Sequence, residues 1–369
     1  MTASKTGGNQ EAKLKKIMVD LLSRKIVDDV LVPMPQADKK SVMPALVAAM
    51  DDIDRAVFLG PSFLINTARM AARISHKPSG RKTAVWMRPC EVRAFKELVK
   101  LNQASDTEVL ILSMDCAMAP DREAFDAYGQ AHETDTRAWT AAVFPDPLAS
   151  ALEICGTCRA CQSPQAADAD IQVLLYGIDG GPVIRAGSPK GQAAMDLMTM
   201  VSEESPAARD TVVTALGRAG QEAFEVMALD TAQVTDSLEK LDTFFSRCIN
   251  CYNCRTVCPV CYCRECVFNT DVFEHDPAQY HLWAAKQGTF RLPSDTLFFH
   301  LTRLAHMSHA CVGCGQCSRA CPSGIPVADL FSTVGRHIQK AFDYVPGKDT
   351  PPPFTAFNTD EYQDAVGIE

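Results

Sequence analysis

Sixteen cysteines stand in this 369-residue sequence, and eleven of them fall between Cys248 and Cys321. Cys248, Cys251, Cys254 and Cys258, followed by Pro259, fit C-x2-C-x2-C-x3-C-P. Cys311, Cys314, Cys317 and Cys321, followed by Pro322, fit the same pattern. This is the bacterial ferredoxin run, in which three close thiolates hold three corners of a cubane and the fourth cysteine ligates the other cluster. The spacing therefore assigns Cys248, Cys251, Cys254 and Cys321 to one 4Fe–4S cluster, and Cys311, Cys314, Cys317 and Cys258 to a second. Zinc is the alternative, but it asks for two C-x2-C pairs and needs neither the third cysteine nor the C-P step.

Two further groups lie outside these runs. Cys155, Cys158 and Cys161 form another C-x2-C-x2-C, enough for three corners of a third cubane. Its fourth ligand would be Cys90 or Cys116, each just after a strand candidate, where an open α/β sheet presents functional groups; zinc or a structural cysteine group is the alternative. Cys261, Cys263 and Cys266 follow Cys258 directly. They are either ligands of a fourth cluster or thiols packed beside the other two. His300, His306 and His309 precede Cys311; they read as helix-surface or interface histidines, with potential tuning or proton handling near a cluster as the other possibility. Asp115 beside Cys116 is the one carboxylate singled out, as a structural group.

The elements that must carry these residues alternate between strand and helix in the first half. Leu14, Ile17, Met18, Leu21 and Leu22 have helical spacing. Val30 to Val32 reads as a short strand ended by Pro33, Ser41 to Met50 as a helix, and Phe63 to Ile74 as another. Thr83–Met87 and Val109–Leu112 are strands on either side of a helix over Val92–Leu101. Gln162–Ala169 is a loop, and Ile171–Tyr176 and Val183–Ala186 are further strands. The pattern predicts an α/β domain with a mostly parallel sheet. From Gly191 to Leu241 the chain reads as helical, with a break at Ser205-Pro206. Between the cysteine runs, residues 259–310 leave room for a helix capped by Ser294 or Asp295 and carrying Leu297, Leu301 and Leu304. Val327–Phe342 reads as an amphipathic helix. The expected organisation is residues 1–190 as the α/β domain, 191–241 as a helical connection, 242–345 as a mainly helical two-cluster ferredoxin domain, and 346–369 as an extended tail.

Composition narrows the class. A net charge of -9 argues against nucleic-acid binding, which relies on a basic surface. Residues 1–16 are polar and lack a signal-peptide core. No apolar run approaches the roughly 18 residues of a membrane span. The expectation is a cytoplasmic chain that does not span the membrane, with cysteines kept for metal in a reducing compartment. No G-x-G-x-x-G opens a strand–turn–helix unit, which argues against a Rossmann nicotinamide site.

The segment from Trp86-Met87-Arg88-Pro89-Cys90 to Phe95, the strand Ile111–Met114 leading to Asp115-Cys116, and Cys155 to Cys161 together resemble one family. It comprises the beta subunits of the deazaflavin (coenzyme F420)-reducing hydrogenases and of the related formate dehydrogenases, and the resemblance covers roughly residues 5–190. The C-terminal runs resemble the helical ferredoxin domain of heterodisulfide reductase and succinate dehydrogenase iron–sulfur subunits. The resemblance implies FAD in the α/β domain, with Gly7, Gly8, Gly60 and Ser62 in flavin-contact segments and Arg88 and Arg93 toward its phosphates, unless those arginines only form salt bridges. It implies a proximal cluster on Cys155, Cys158, Cys161 and either Cys90 or Cys116. The implied protein is an iron–sulfur flavoprotein subunit of a hetero-oligomeric oxidoreductase in anaerobic metabolism. It would transfer electrons between a soluble two-electron carrier and a hydrogenase, formate dehydrogenase or heterodisulfide-reductase-like partner. The competing reading, from another class, is a flavin-free wiring and docking subunit.

Overall fold

The structure is a computed structural model that describes residues 3–37, 42–60, 65–120, 146–149, 153–178, 181–263 and 265–348. A six-stranded mixed sheet dominates the first half. Its strands are β1 (Asp29–Pro35), β2 (Val42–Val47), β3 (Thr83–Met87), β4 (Val109–Met114), β5 (Ile171–Leu174) and β6 (Val183–Ala186), in the order β2-β1-β3-β4-β5-β6. The inner pairs β1–β3, β3–β4 and β4–β5 are parallel, and the two edge pairs are antiparallel.

Side chains alternate across the central strands, as the two-residue period of a strand requires. Val30, Val32, Ala84, Trp86, Leu110 and Leu112 face one way, against helix α1 (Ala3–Ser23) through Leu14, Ile17, Met18 and Leu21. Leu31, Val85, Met87, Val109 and Ile111 face the other way. There they meet α2 (Thr67–Ser75) and α3 (Pro89–Lys100). The same core continues into the C-terminal half through Phe299, Met307, Leu330 and Phe331.

Four elements differ from the sequence reading. Residues 42–47 form strand β2 rather than a helix; a short apolar run does not separate the two by period alone. Its Pro44 is tolerated because β2 is an edge strand, where a missing N–H breaks no inner ladder. Strand β1 runs on through Pro33 to Pro35, pairing there with β2 alone. Strand β5 stops at Leu174, because the Leu175 and Tyr176 amides donate to the Asp115 carboxylate instead of a ladder. Helix α2 begins at Thr67, after Asn66, whose side chain accepts from Ala68 N.

The second half is helical. After α4 (Gly156–Arg159) and the last strands come α5 (Pro189–Leu197), the long α6 (Ala207–Gln233) and α7 (Leu238–Phe244). The cysteine-rich part contains α8 (Asn253–Thr256), α9 (Pro277–Gln287), α10 (Thr296–Met307), α11 (Gln316–Arg319) and α12 (Val327–Ala341). Asp295 stands before α10 without capping it by side chain; its carboxylate accepts from Asn250 Nδ2 at 2.9 Å and Tyr252 OH at 3.3 Å. The buried face of α10 is Phe299, His300, Arg303 and Met307, not the leucine stripe. No helix among the described residues is long and apolar enough to cross a membrane.

Candidate functional site

The strand ends place the first thiol group. Strand β3 delivers Arg88-Pro89-Cys90 at the start of α3, and β4 delivers Asp115-Cys116. The segment around α4 is tied to them: Cys155 N donates to Ala119 O at 2.9 Å, Cys116 N to Pro164 O at 2.9 Å, and Ala119 N to Cys158 Sγ at 3.4 Å. Burial first, and then Cys90, pushes the Cys116 thiol up to about 12; Cys161 adds to the effect. Cys90 is also raised, by burial first, and Cys161 bears on it too. The fold therefore brings both Cys90 and Cys116 to Cys155, Cys158 and Cys161. Cys155 and Cys158 share a hydrogen bond, which holds Cys155 down and Cys158 up.

The two ferredoxin runs interleave. Cys258, Cys311, Cys314 and Cys317 line one small cavity, closed by Val260, Arg303, Met307 and Phe331. Cys254 is pushed up to about 11 by burial first; Arg303 opposes the rise, and the thiols of Cys248, Cys251 and Cys321 add to it. These are the two quartets that the motif spacing pairs. The turns that present them need left-handed backbone, at Gly313 (φ 65°) and Gly315 (φ 72°) in one run and at Asn250 and Tyr252 in the other. Cys261, Cys263 and Cys266 also lie near one another, with Cys261 beside Cys258.

These groups suit a cluster. Burial raises the thiols of Cys90, Cys116, Cys254, Cys258, Cys311, Cys314 and Cys317, and a soft metal centre would replace their protons with ligand bonds. Backbone amides already point at sulfur, Met118 N at Cys116 (3.3 Å) and Ile325 N at Cys321 (3.4 Å), the kind of contact that tunes a cluster. Among the described residues no three His, Cys, Asp or Glu side chains close to the spacing of a single metal ion.

The sequence reading named the three histidines here but not Arg303. His300 and His309 are buried, so neither is a helix-surface histidine; His306 is exposed. His300 stacks on Phe245 with ring centroids 3.7 Å apart and sets Nε2 3.5 Å from Cys248 Sγ. Burial first, then Arg303, lowers it to about 3. Arg303 itself, unremarked in the sequence, lies between the two quartets.

The implied flavin contacts scatter. Gly7 and Gly8 lie within α1, and Gly60 is buried against Val42 and Val57. Ser62 lies outside the described residues. Arg88 is buried and paired with Glu91 at 3.4 Å, facing Cys90 and Cys116. Arg93 donates to Ser163 O at 2.8 Å and Val312 O at 3.4 Å, joining the two halves of the chain. It lines a cavity of about 530 Å³ that also touches Cys161, Cys311, Phe224, Arg336 and Lys340.

Residues 244–325 match the family model described as a 4Fe-4S dicluster domain. Along almost its whole length the chain is 25% identical to the F420-dependent formate dehydrogenase subunit beta of Methanocaldococcus jannaschii, covering 90% of this chain and 91% of the relative. The chain is thus similar along most of its length to a formate dehydrogenase beta subunit. A Methanococcus maripaludis subunit of that name is likewise 25% identical, over 90% of this chain and 89% of its own length. The sulfhydrogenase 2 subunit beta of Pyrococcus furiosus is 24% identical over 44% of this chain and 54% of its own. Among solved structures, a chain of the F420-reducing NiFe hydrogenase complex of Methanosarcina barkeri aligns with a TM-score of 0.45 at 14% identity, over 61% of this chain and 86% of that one. The similarity to these beta subunits and the dicluster match support electron transfer through iron–sulfur clusters.

Proposed function

We propose that this chain is an iron–sulfur flavoprotein subunit of a larger oxidoreductase. It would exchange electrons between a soluble two-electron carrier, through FAD, and a hydrogenase, formate dehydrogenase or heterodisulfide-reductase-like partner. When bound, FAD would supply the hydride-accepting chemistry and the clusters one-electron conduction. The observation that carries the reading is the series of thiol groups. The Cys90/Cys116/Cys155/Cys158/Cys161 group is followed by the Cys258/Cys311/Cys314/Cys317 quartet, with Cys90 among the charges bearing on Cys314. Arg303 then spans from Cys258 to Cys254 of the next quartet, where Cys251 is exposed. We assign the ligands as the motif spacing does and divide the chain at 190, 241 and 345.

The cavity between Cys161 and Cys311 supports the flavin part. Its volume is in the range of small-molecule sites, about 300–1,000 Å³, and three cations line it. A flavin-free wiring subunit is the second reading. It is favoured by Gly7 and Gly8 lying inside a helix and by Arg88 being committed to Glu91.

Iron, zinc and acid-released flavin in anaerobically purified protein separate the two. At four irons per cubane, about twelve to sixteen irons with one FAD is the expected result. The same iron without flavin leaves the wiring subunit, and zinc in place of iron overturns both.

A further inference from the structure

Arg303 is 4% exposed, and among the described residues no carboxylate pairs with it. A buried charge is costly unless it is paired. Its contacts are all on the cluster side. Nη1 donates to Cys254 Sγ at 3.2 Å, and Nη2 donates to Cys254 O at 3.2 Å and approaches Met307 Sδ at 3.6 Å. Nε is buried and has no hydrogen-bond partner. The guanidinium lies over the Phe331 ring at 4.6 Å and the Phe299 ring at 5.5 Å, so apolar rings fill the space where water or a carboxylate would otherwise sit. It also lines the cavity formed by Cys258, Cys311, Cys314 and Cys317. One cation thus touches a thiol of one quartet and faces the cavity of the other. Burial opposes its charge, and Cys254, Cys258, Cys317 and Cys261 sustain it.

We infer that Arg303 is the shared counter-charge of the two ferredoxin-type cluster sites, a positioning residue that raises the reduction potential of both. The inference rests on the cluster assignment above. Reduction would add one electron to a bound cluster, supplied by the neighbouring cluster or by reduced flavin. The site therefore becomes one unit more negative. A fixed cation in a dry, low-dielectric place stabilises that added charge more than water would. Because a single guanidinium faces both quartets, it shifts both potentials in the same direction.

The test uses the full chain, purified anaerobically, with R303K and R303Q. Iron is counted first; each midpoint is then read by EPR-monitored redox titration. R303Q keeps a donor but loses the charge. The expected result is full iron and a fall of both ferredoxin-type midpoints equivalent to at least a tenfold change in the reduced-to-oxidised ratio, 59 mV for one electron. The cluster on the Cys155–Cys161 group should hold its midpoint, since Arg303 is not among the main charges on Cys155 or Cys158. R303K should stay within threefold of the parent. Unchanged midpoints in fully loaded R303Q overturn the inference. If R303Q fails to load iron while R303K loads fully, the charge itself is what the sites require, which supports it. If both variants fail to load, Arg303 is a packing residue and the inference falls. A parent chain without iron would instead sink the cluster assignment.

Discussion

Asp115 has no exposure to water, and its carboxylate is surrounded by donors. Oδ1 accepts from Ala166 N at 2.8 Å, Oδ2 from Leu175 N at 2.8 Å and Tyr176 N at 3.1 Å, and Arg209 Nη2 closes the set at 2.7 Å. One residue thereby joins the end of β4 to the loop before β5, the end of β5 and helix α6. Replacing it with Asn keeps the shape but leaves the Arg209 guanidinium buried without its counter-charge. D115N should lose about 3–5 kcal/mol in urea unfolding, the scale for breaking a buried ion pair. A loss below about 1 kcal/mol would show that Arg209 finds water or another partner. The role is structural, although the residue sits beside a candidate ligand. At Gly315 the backbone is left-handed, and a Cβ would run into Thr157 Oγ1. G315A should therefore disturb the seam between the two cysteine-bearing halves, read as lost iron at full protein yield.

Helices hold these halves together by close approach. Gly220 of α6 lies so near the Cys161 carbonyl that a methyl group there would overlap backbone, which cannot swing aside as a side chain can. G220A should push α6 away from α4. The expected outcome is loss of one cluster's iron, about four atoms per chain, with the EPR signals of the ferredoxin-type clusters intact. Loss of all iron would place Gly220 in global folding instead. A second junction joins α3 to the segment after α12. Glu97 is buried and accepts from Tyr344 OH and from Gly347 N at 2.6 Å, while Lys100 Nζ lies 2.6 Å from it. Y344F removes one donor from a buried carboxylate and should cost about 1–3 kcal/mol, measured as a lower midpoint in chemical denaturation with unchanged iron content.

At the scale of the whole chain, one apolar core runs from the sheet through α2 and α3 to α10 and α12. Domains meeting at small polar interfaces unfold separately, whereas a shared core couples them. Metal binding adds to that coupling because the ligand groups are assembled only in the folded chain. Calorimetry of the iron-loaded protein should show one transition, coincident with bleaching of the cluster absorbance, and removal of iron should lower its temperature. Two resolved transitions would show that the α/β and cysteine-rich halves fold apart.

The cysteine chemistry was legible in the sequence because ligand spacing within a run is local: two residues between thiols set which corners one turn can reach. The central strands β3 and β4 were legible for a similar reason, as apolar runs bounded by turn residues. The edge strand β2 was not, because six apolar residues carry no decisive period and only pairing to β1 makes them a strand. The burial of His300 and the position of Arg303 were not legible either. The helix facing the two quartets buries His300 and Arg303 beside Phe299 and Met307, while Leu297, Leu301 and Leu304 are only half-buried, so apolar spacing alone does not find its innermost face. The convergence of Cys90 and Cys116 on Cys155–Cys161 depends on the order of strands in the sheet. Local spacing thus determined which groups can bind a cluster, and long-range packing alone decided which charges those groups face.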